Sequence, residues 1–218
     1  MNKLITYGCS LTFGEGLKDC YIPATKRHRG RVGPYHLENP SRFSWPNWIA
    51  KELEISVTNY GHPGASNKFI LKKILETEYL NNKDIVVVLW TFFNRSCIFD
   101  EDSVFRLIPS DLQNKSLDHP IQKKIKYWYN NFFFNKDRLF ESYICINHAK
   151  LYLDKLNIKN YHFILDQEYN DYIPPHWNNV ELNKIKFDYT LGFADDHSHP
   201  GIQSHIDVAD KMLKVIKA

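Results

Sequence analysis

A hydroxyl near the start of this 218-residue chain and an imidazole–carboxylate pair near its end are the residues whose types and spacing suit nucleophilic chemistry. Ser10 lies in Gly8-Cys9-Ser10-Leu11-Thr12-Phe13-Gly14, directly after a short β-branched apolar run from Lys3 to Tyr7. Glycines there permit a tight strand-to-helix turn that presents the hydroxyl together with nearby backbone N–H groups. A serine becomes a useful nucleophile only beside a base, and the base needs a group that fixes its tautomer. Asp196 and His199, three apart in Asp195-Asp196-His197-Ser198-His199-Pro200, offer both. At that spacing one turn brings the carboxylate to Nδ1 and leaves Nε2 for Ser10. A serine after a glycine also serves as an ordinary turn or cap residue, so its meaning depends on the two ends of the chain meeting.

Other chemistries compete for the same residues. His197, His199 and His205 stand close to Asp195 and Asp196, and imidazole with carboxylate suits zinc. The His-x-His spacing is short, however, and no distant fourth ligand stands out. Cys9, Cys20, Cys97 and Cys145 are far apart and form no CxxC pair, which excludes a zinc ribbon or a thioredoxin-type motif and points to reduced thiols in a cytosolic compartment. Lys26, Arg27, His28, Arg29 and Arg31 form a basic cluster that would grip phosphate, with Trp and Tyr residues to stack on bases or sugars. A charge run is more often a solvated loop.

The elements that must position Ser10 and His199 follow from apolar spacing. Lys3–Tyr7 reads as a buried strand, and 17–40, rich in proline and polar residues, as a loop. Ser44 caps a helix running to Leu53, with Pro46 in its first turn. Ile55–Asn59 alternates as a second strand, and Ser66 caps a helix whose Ile70/Ile74 and Leu71/Leu75 pairs share one face. Ile85–Trp90 is apolar on both faces, as a central parallel strand must be when helices cover each side. From Ser96 to Asn135 the pattern weakens, which predicts an insertion or lid around 96–135. A helix over 136–156, a strand over 161–165 and a helix over 201–216 complete the chain. Strands alternating with helices predict one three-layer α/β/α domain over 1–218 with a mostly parallel, flavodoxin-like sheet. Ligands in such sheets gather beyond the carboxyl ends of the strands, where the strand order reverses.

Four segments taken in order resemble the SGNH (GDSL-type) hydrolase family through nearly the whole chain. Gly8-Cys9-Ser10-Leu11-Thr12 resembles the block that carries the nucleophile, with Cys9 where the family usually has Asp. Asn59-Tyr60-Gly61-His62-Pro63-Gly64-Ala65-Ser66 resembles the second block, and its spacing from Asn59 assigns the oxyanion glycine to Gly64 ahead of Gly61. Phe92-Phe93-Asn94-Arg95 stands where the family reads Gly-x-Asn-Asp. Asn94 is the carry-over, and Thr91 is an alternative donor because the flanking Gly and Asp are missing. Asp196-His197-Ser198-His199-Pro200 matches Asp-x-x-His-Pro. The resemblance implies a Ser10–His199–Asp196 triad, an oxyanion hole from Ser10, Gly64 and Asn94, and no cofactor, with Cys9 a rival nucleophile.

The resemblance also implies hydrolysis of a carboxylic ester, with a small acyl group such as acetyl carried by a carbohydrate or another polar alcohol. The alternatives are an acyltransferase, or a non-catalytic domain that binds glycan or nucleic acid on the same fold. Composition narrows the partners. Against 25 acidic residues stand 28 Lys and Arg, a net charge of +3, so nucleic acid is not expected as a partner on charge grounds. No stretch approaches the roughly 18 apolar residues of a membrane span and none resembles a signal peptide, which predicts a cytoplasmic protein without a membrane partner. The expected partner is a small-molecule or glycan ester.

Overall fold

A computed structural model describes residues 2–22, 27, 28, 31, 32, 35, 36, 38–99, 104–113, 119–166 and 180–218. Its centre is a five-stranded sheet of β1 (Lys3–Gly8), β2 (Ser56–Gly61), β3 (Ile85–Trp90), β4 (Lys159–Leu165) and β5 (Leu182–Ile185). The spatial order is β5-β4-β3-β1-β2 and every pair is parallel. Parallel neighbours require crossovers, which here contain α2 (Trp45–Glu52), α3 (Asn67–Leu75) and α5 (Asn135–Lys155), while α6 (Ile202–Ile216) follows the last strand. α2 packs with α6 and α3 packs with α5, which gives the expected three-layer α/β/α sandwich.

The core explains why these segments pair. Val86, Val87, Val88, Leu89 and Trp90 of β3 are fully buried, because helices cover both faces of the central strand. Ile70 and Ile74 turn the inner face of α3 into the same core, whereas Leu75, one residue further round, is 40% exposed. Ser66 caps α3 by accepting from the Phe69 N–H at 3.3 Å. Ser44 occupies the cap position of α2 without capping it through its side chain, and its hydroxyl donates instead to the Ser41 carbonyl at 2.6 Å.

Two regions carry more regular structure than their composition predicts. The 17–40 stretch contains the antiparallel pairs Tyr21–Ile22 with Tyr35–His36 and Arg27–His28 with Arg31–Val32. Lys26 and Arg29 of the basic cluster lie outside the described residues. Within 96–135, Ser96–Phe99 pairs with Val104–Leu107 as a hairpin, a 3₁₀ turn covers Pro109–Gln113, and α4 (His119–Phe132) follows. The hairpin and α4 border an open groove of about 490 Å³ lined by Ile98, Phe105, Leu107, Lys124, Trp128 and Phe132.

The strand order reverses between β1 and β3, the two strands that leave the centre in opposite directions. In parallel sheets ligands gather beyond the carboxyl ends of the strands at such a reversal. Ser10 follows β1, Gly64 follows β2, and Thr91 and Asn94 follow β3, so one rim receives all three loops.

Candidate active site

The loop after β1 is a single turn of helix, α1 (Ser10–Phe13), with Cys9 in extended conformation at its cap. The Cys9 carbonyl accepts from the N–H groups of Thr12 and Phe13, and Gly14 closes the turn in the left-handed region at φ +80°. Close approach to β2 sets the composition. A Cβ on Gly61 would sit 2.4 Å from the Phe13 nitrogen, and one on Gly8 would sit 2.0 Å from Thr12 Oγ1. Both glycines are there so that α1 can lie against the sheet. Ser10 is 4% exposed, and its hydroxyl has no hydrogen-bond partner among the described residues. Cys9 is fully sealed and belongs to the main core, so its thiol faces packing rather than the crevice.

The C-terminal loop builds the other half. His199 Nδ1 and Asp196 Oδ2 are 2.6 Å apart. Asp196 Oδ1 also accepts the backbone N–H groups of Ser198 and His199, each at 3.0 Å, so the carboxylate is fixed at both oxygens. Burial raises the Asp196 pKa, but the bonds from the His199 ring and from the two backbone N–H groups outweigh it and hold the carboxyl well below the usual range. An acceptor kept ionised on Nδ1 is what fixes the tautomer with Nε2 available.

The two halves meet through the residues just after the Ser10 turn. Glu15 N–H donates to the Ser10 carbonyl at 3.0 Å, and the Gly16 carbonyl accepts the Asp195 N–H at 2.9 Å. Gly16 has φ +85°, and a Cβ there would lie 2.5 Å from the Asp196 carboxyl carbon. The loop that presents Ser10 is thus in van der Waals contact with the loop that presents His199. His199 Nε2 does not bond Ser10, however. It faces Glu15 Oε2 at 3.5 Å.

The donors on the other loops are distinguishable. The Gly61 N–H is consumed by Asn59 Oδ1 at 2.8 Å, and the same Asn59 side chain donates to the Thr12 carbonyl, stitching β2 to α1. Gly64, at φ +73°, donates no hydrogen bond among the described residues. Beside it, Arg106 Nη1 donates to the Pro63 carbonyl at 2.6 Å, and a Cβ on Gly64 would meet Ile108 Cδ1 at 2.6 Å. Asn94 is exposed in the turn after β3, and its carbonyl accepts from Tyr129 Oη at 2.9 Å. Thr91 is fully buried; Asn67 grips it by accepting its N–H at 2.8 Å and donating to its carbonyl at 3.2 Å, while Arg95 Nη1 donates to its hydroxyl at 3.3 Å.

Glu15 and Asn67 join the site without standing out in the sequence. The signal for Glu15 was an acid between two glycines, five residues after Ser10; for Asn67 it was an amide immediately after a helix cap. His205 does not join the other histidines as a ligand set: its ring is buried, and Nδ1 accepts the Trp45 N–H at 3.3 Å. Among the described residues no group of three His, Cys, Asp or Glu is arranged to hold a metal ion.

No family profile matches the sequence, and no curated protein matches it. Solved structures do match its shape. A member of the lipolytic G-D-S-L family from Veillonella parvula DSM 2008 superposes with a TM-score of 0.51 at 16% identity, over 100% of this chain and 99% of that one. A lipase from a goat rumen metagenome gives 0.51 at 9% identity, over 98% and 97%. An acetyl xylan esterase from Butyrivibrio proteoclasticus gives 0.52 at 13% identity over 99% of this chain, which spans 63% of that enzyme. With the parallel five-stranded sheet and its helical layers, these likenesses establish that the chain has the SGNH (GDSL-type) hydrolase fold.

Proposed function

We propose that this protein is a serine hydrolase that cleaves a carboxylic ester through Ser10, His199 and Asp196. The observation that carries the reading is the 2.6 Å contact of His199 Nδ1 with Asp196, on a loop clasped to the turn that follows Ser10. The turn after Ser10 and the loop of His199 touch through Gly16, and the Ser10 hydroxyl has no hydrogen-bond partner among the described residues.

The reaction follows from these positions. Ser10 Oγ attacks the ester carbonyl as His199 Nε2 takes its proton, and Asp196 balances the imidazolium that forms. The tetrahedral oxyanion is received by the N–H groups of Ser10 and Gly64 and by the Asn94 amide, with Thr91 the alternative third donor; one such donor is worth about 2.7–4 kcal/mol in the transition state. Collapse expels the alcohol, which takes the proton from His199. Water, activated by the same base, then releases the acid from Ser10. Ser10 Oγ closes on Nε2 once substrate is bound, with Glu15 staying beside the ring, since catalytic hydrogen bonds commonly tighten only in the complex.

The substrate is a small acyl ester, such as an O-acetyl group, on a carbohydrate or another polar alcohol. The segment around 96–135 acts as an insertion that walls the crevice: Arg106 and Ile108 already lie against the Pro63-Gly64 turn. The protein needs no cofactor and works as one domain in the cytoplasm on a soluble ester. No helix of the described residues is long and apolar enough to cross a membrane.

The test is hydrolysis of p-nitrophenyl acetate by purified protein. Ser10→Ala and His199→Ala are expected to abolish turnover while the circular dichroism spectrum stays that of the parent. Turnover by Ser10→Ala equal to the parent's would remove the serine mechanism.

A further inference from the structure

The second carboxylate at His199 has no part in the triad. Glu15 reaches Nε2 with Oε2 at 3.5 Å, from the side opposite Asp196, and the Glu15 side chain is only 18% exposed. The imidazole is therefore flanked by an acid at each nitrogen. Backbone geometry keeps Glu15 there: its N–H is tied to the Ser10 carbonyl, and the next residue, Gly16, is pinned by Asp195 and pressed against the Asp196 carboxylate. The acid is thus delivered by the same turn that delivers the nucleophile, at a fixed distance from it along the chain.

We infer that Glu15 is a positioning residue for the reaction, holding the His199 ring at the crevice and stabilising the positive charge that the ring gains when it takes the Ser10 proton. The inference rests on the serine-hydrolase reading and adds a fourth residue to it. An ionised carboxylate within about 4 Å of a forming imidazolium is strongly favourable when both are partly withdrawn from water. Among the described residues, the other groups near the ring do not supply that charge. His205, from α6, is neutral because burial lowers its pKa to about 3. Tyr189, near Asp196, stays protonated because burial raises its pKa. Ser198 Oγ, 3.3 Å from Nδ1, is uncharged. Asp195 and His197 flank the pair along the loop but neither contacts the ring.

The experiment compares kcat, KM and the pH profile of p-nitrophenyl acetate hydrolysis for the parent, Glu15→Gln and Glu15→Asp. Glu15→Gln is expected to lower kcat about tenfold with KM little changed, and to move the acid limb of the kcat/KM profile down by about one pH unit, since the protonated ring loses a partner. Glu15→Asp keeps the charge and is expected to restore the limb. A parent that hydrolyses the ester, loses turnover in Ser10→Ala and shows the same kcat and limb in Glu15→Gln would overturn the role of Glu15 alone. A parent that neither hydrolyses the ester nor reacts at Ser10 would overturn the serine-hydrolase reading and this inference with it. Should Glu15→Gln melt well below the parent, Glu15→Asp decides: an acid limb displaced as far as that of Glu15→Gln means that charge is not what Glu15 contributes.

Discussion

Gly16 leaves the space that Asp196 fills: a methyl group at that position would stand 2.5 Å from the carboxyl carbon. The positive φ of Gly16 and this contact are separate demands on the same residue, and both are met only without a side chain. The consequence is that the carboxylate bonded to His199 is supported by backbone from the other end of the chain.

Gly16→Ala therefore strains the backbone by about 1 kcal/mol and must displace Asp196 or the turn. The expected outcome is a fall in kcat/KM of about tenfold or more in a protein that still folds, measured by ester hydrolysis beside a thermal melt. Parent-like turnover would show that the loop contact does not position the acid.

Asn67 binds both the N–H and the carbonyl of Thr91 and also donates to Ser142 Oγ at 3.0 Å. Asn67→Ala leaves a sealed N–H without its acceptor at the end of β3. A destabilisation of about 2–3 kcal/mol is expected from urea unfolding. Activity should fall further than the loss of folded protein explains, because the loop carrying Asn94 is anchored there. An unchanged urea midpoint would mean that the amide is dispensable.

Acid sensitivity has a buried source in His162. Its Nδ1 accepts from Trp90 Nε1 at 3.0 Å, and burial lowers its pKa to about 4 against 6.5 for the ordinary group. The folded state keeps the ring neutral while the unfolded chain binds a proton below pH 6.5. The stabilisation is thus complete above 6.5 and declines as pH falls toward 4, by roughly 3 kcal/mol in all. Urea midpoints at pH 7 and pH 4.5 should differ accordingly in the parent and less in His162→Gln. His205, buried and neutral, adds a decline in the same direction. The carboxyl of Asp196 contributes only at lower pH, where it too is lost as it protonates. Equal pH slopes in parent and variant would exclude His162 as a source.

The sheet's core was legible because burial on two faces leaves a continuous apolar run, as in Ile85–Trp90, and the helices because apolar residues four apart must share a side. β5 was not. Leu182-Asn183-Lys184-Ile185 sets two adjacent polar residues between two apolar ones at a sheet edge and carries too little apolar signal to stand out from a loop. The pairing of Ser96–Phe99 with Val104–Leu107 was hidden for the related reason that its Ile98, Phe99 and Phe105 line the groove beside α4 rather than the main core. At the site, the pairing of Asp196 with His199 could be read from their spacing, since three residues within one turn bring the groups together. The contact of Glu15 with His199 could not, because it joins residues from opposite ends of the chain and depends on how closely two loops pack.

The most direct test of the account is covalent labelling by a fluorophosphonate followed by peptide mass spectrometry. The account predicts one adduct, on Ser10, formed by the folded parent and lost or greatly slowed in His199→Ala. Hydrolysis of the ester by a parent protein whose Ser10 peptide stays unmodified would contradict it.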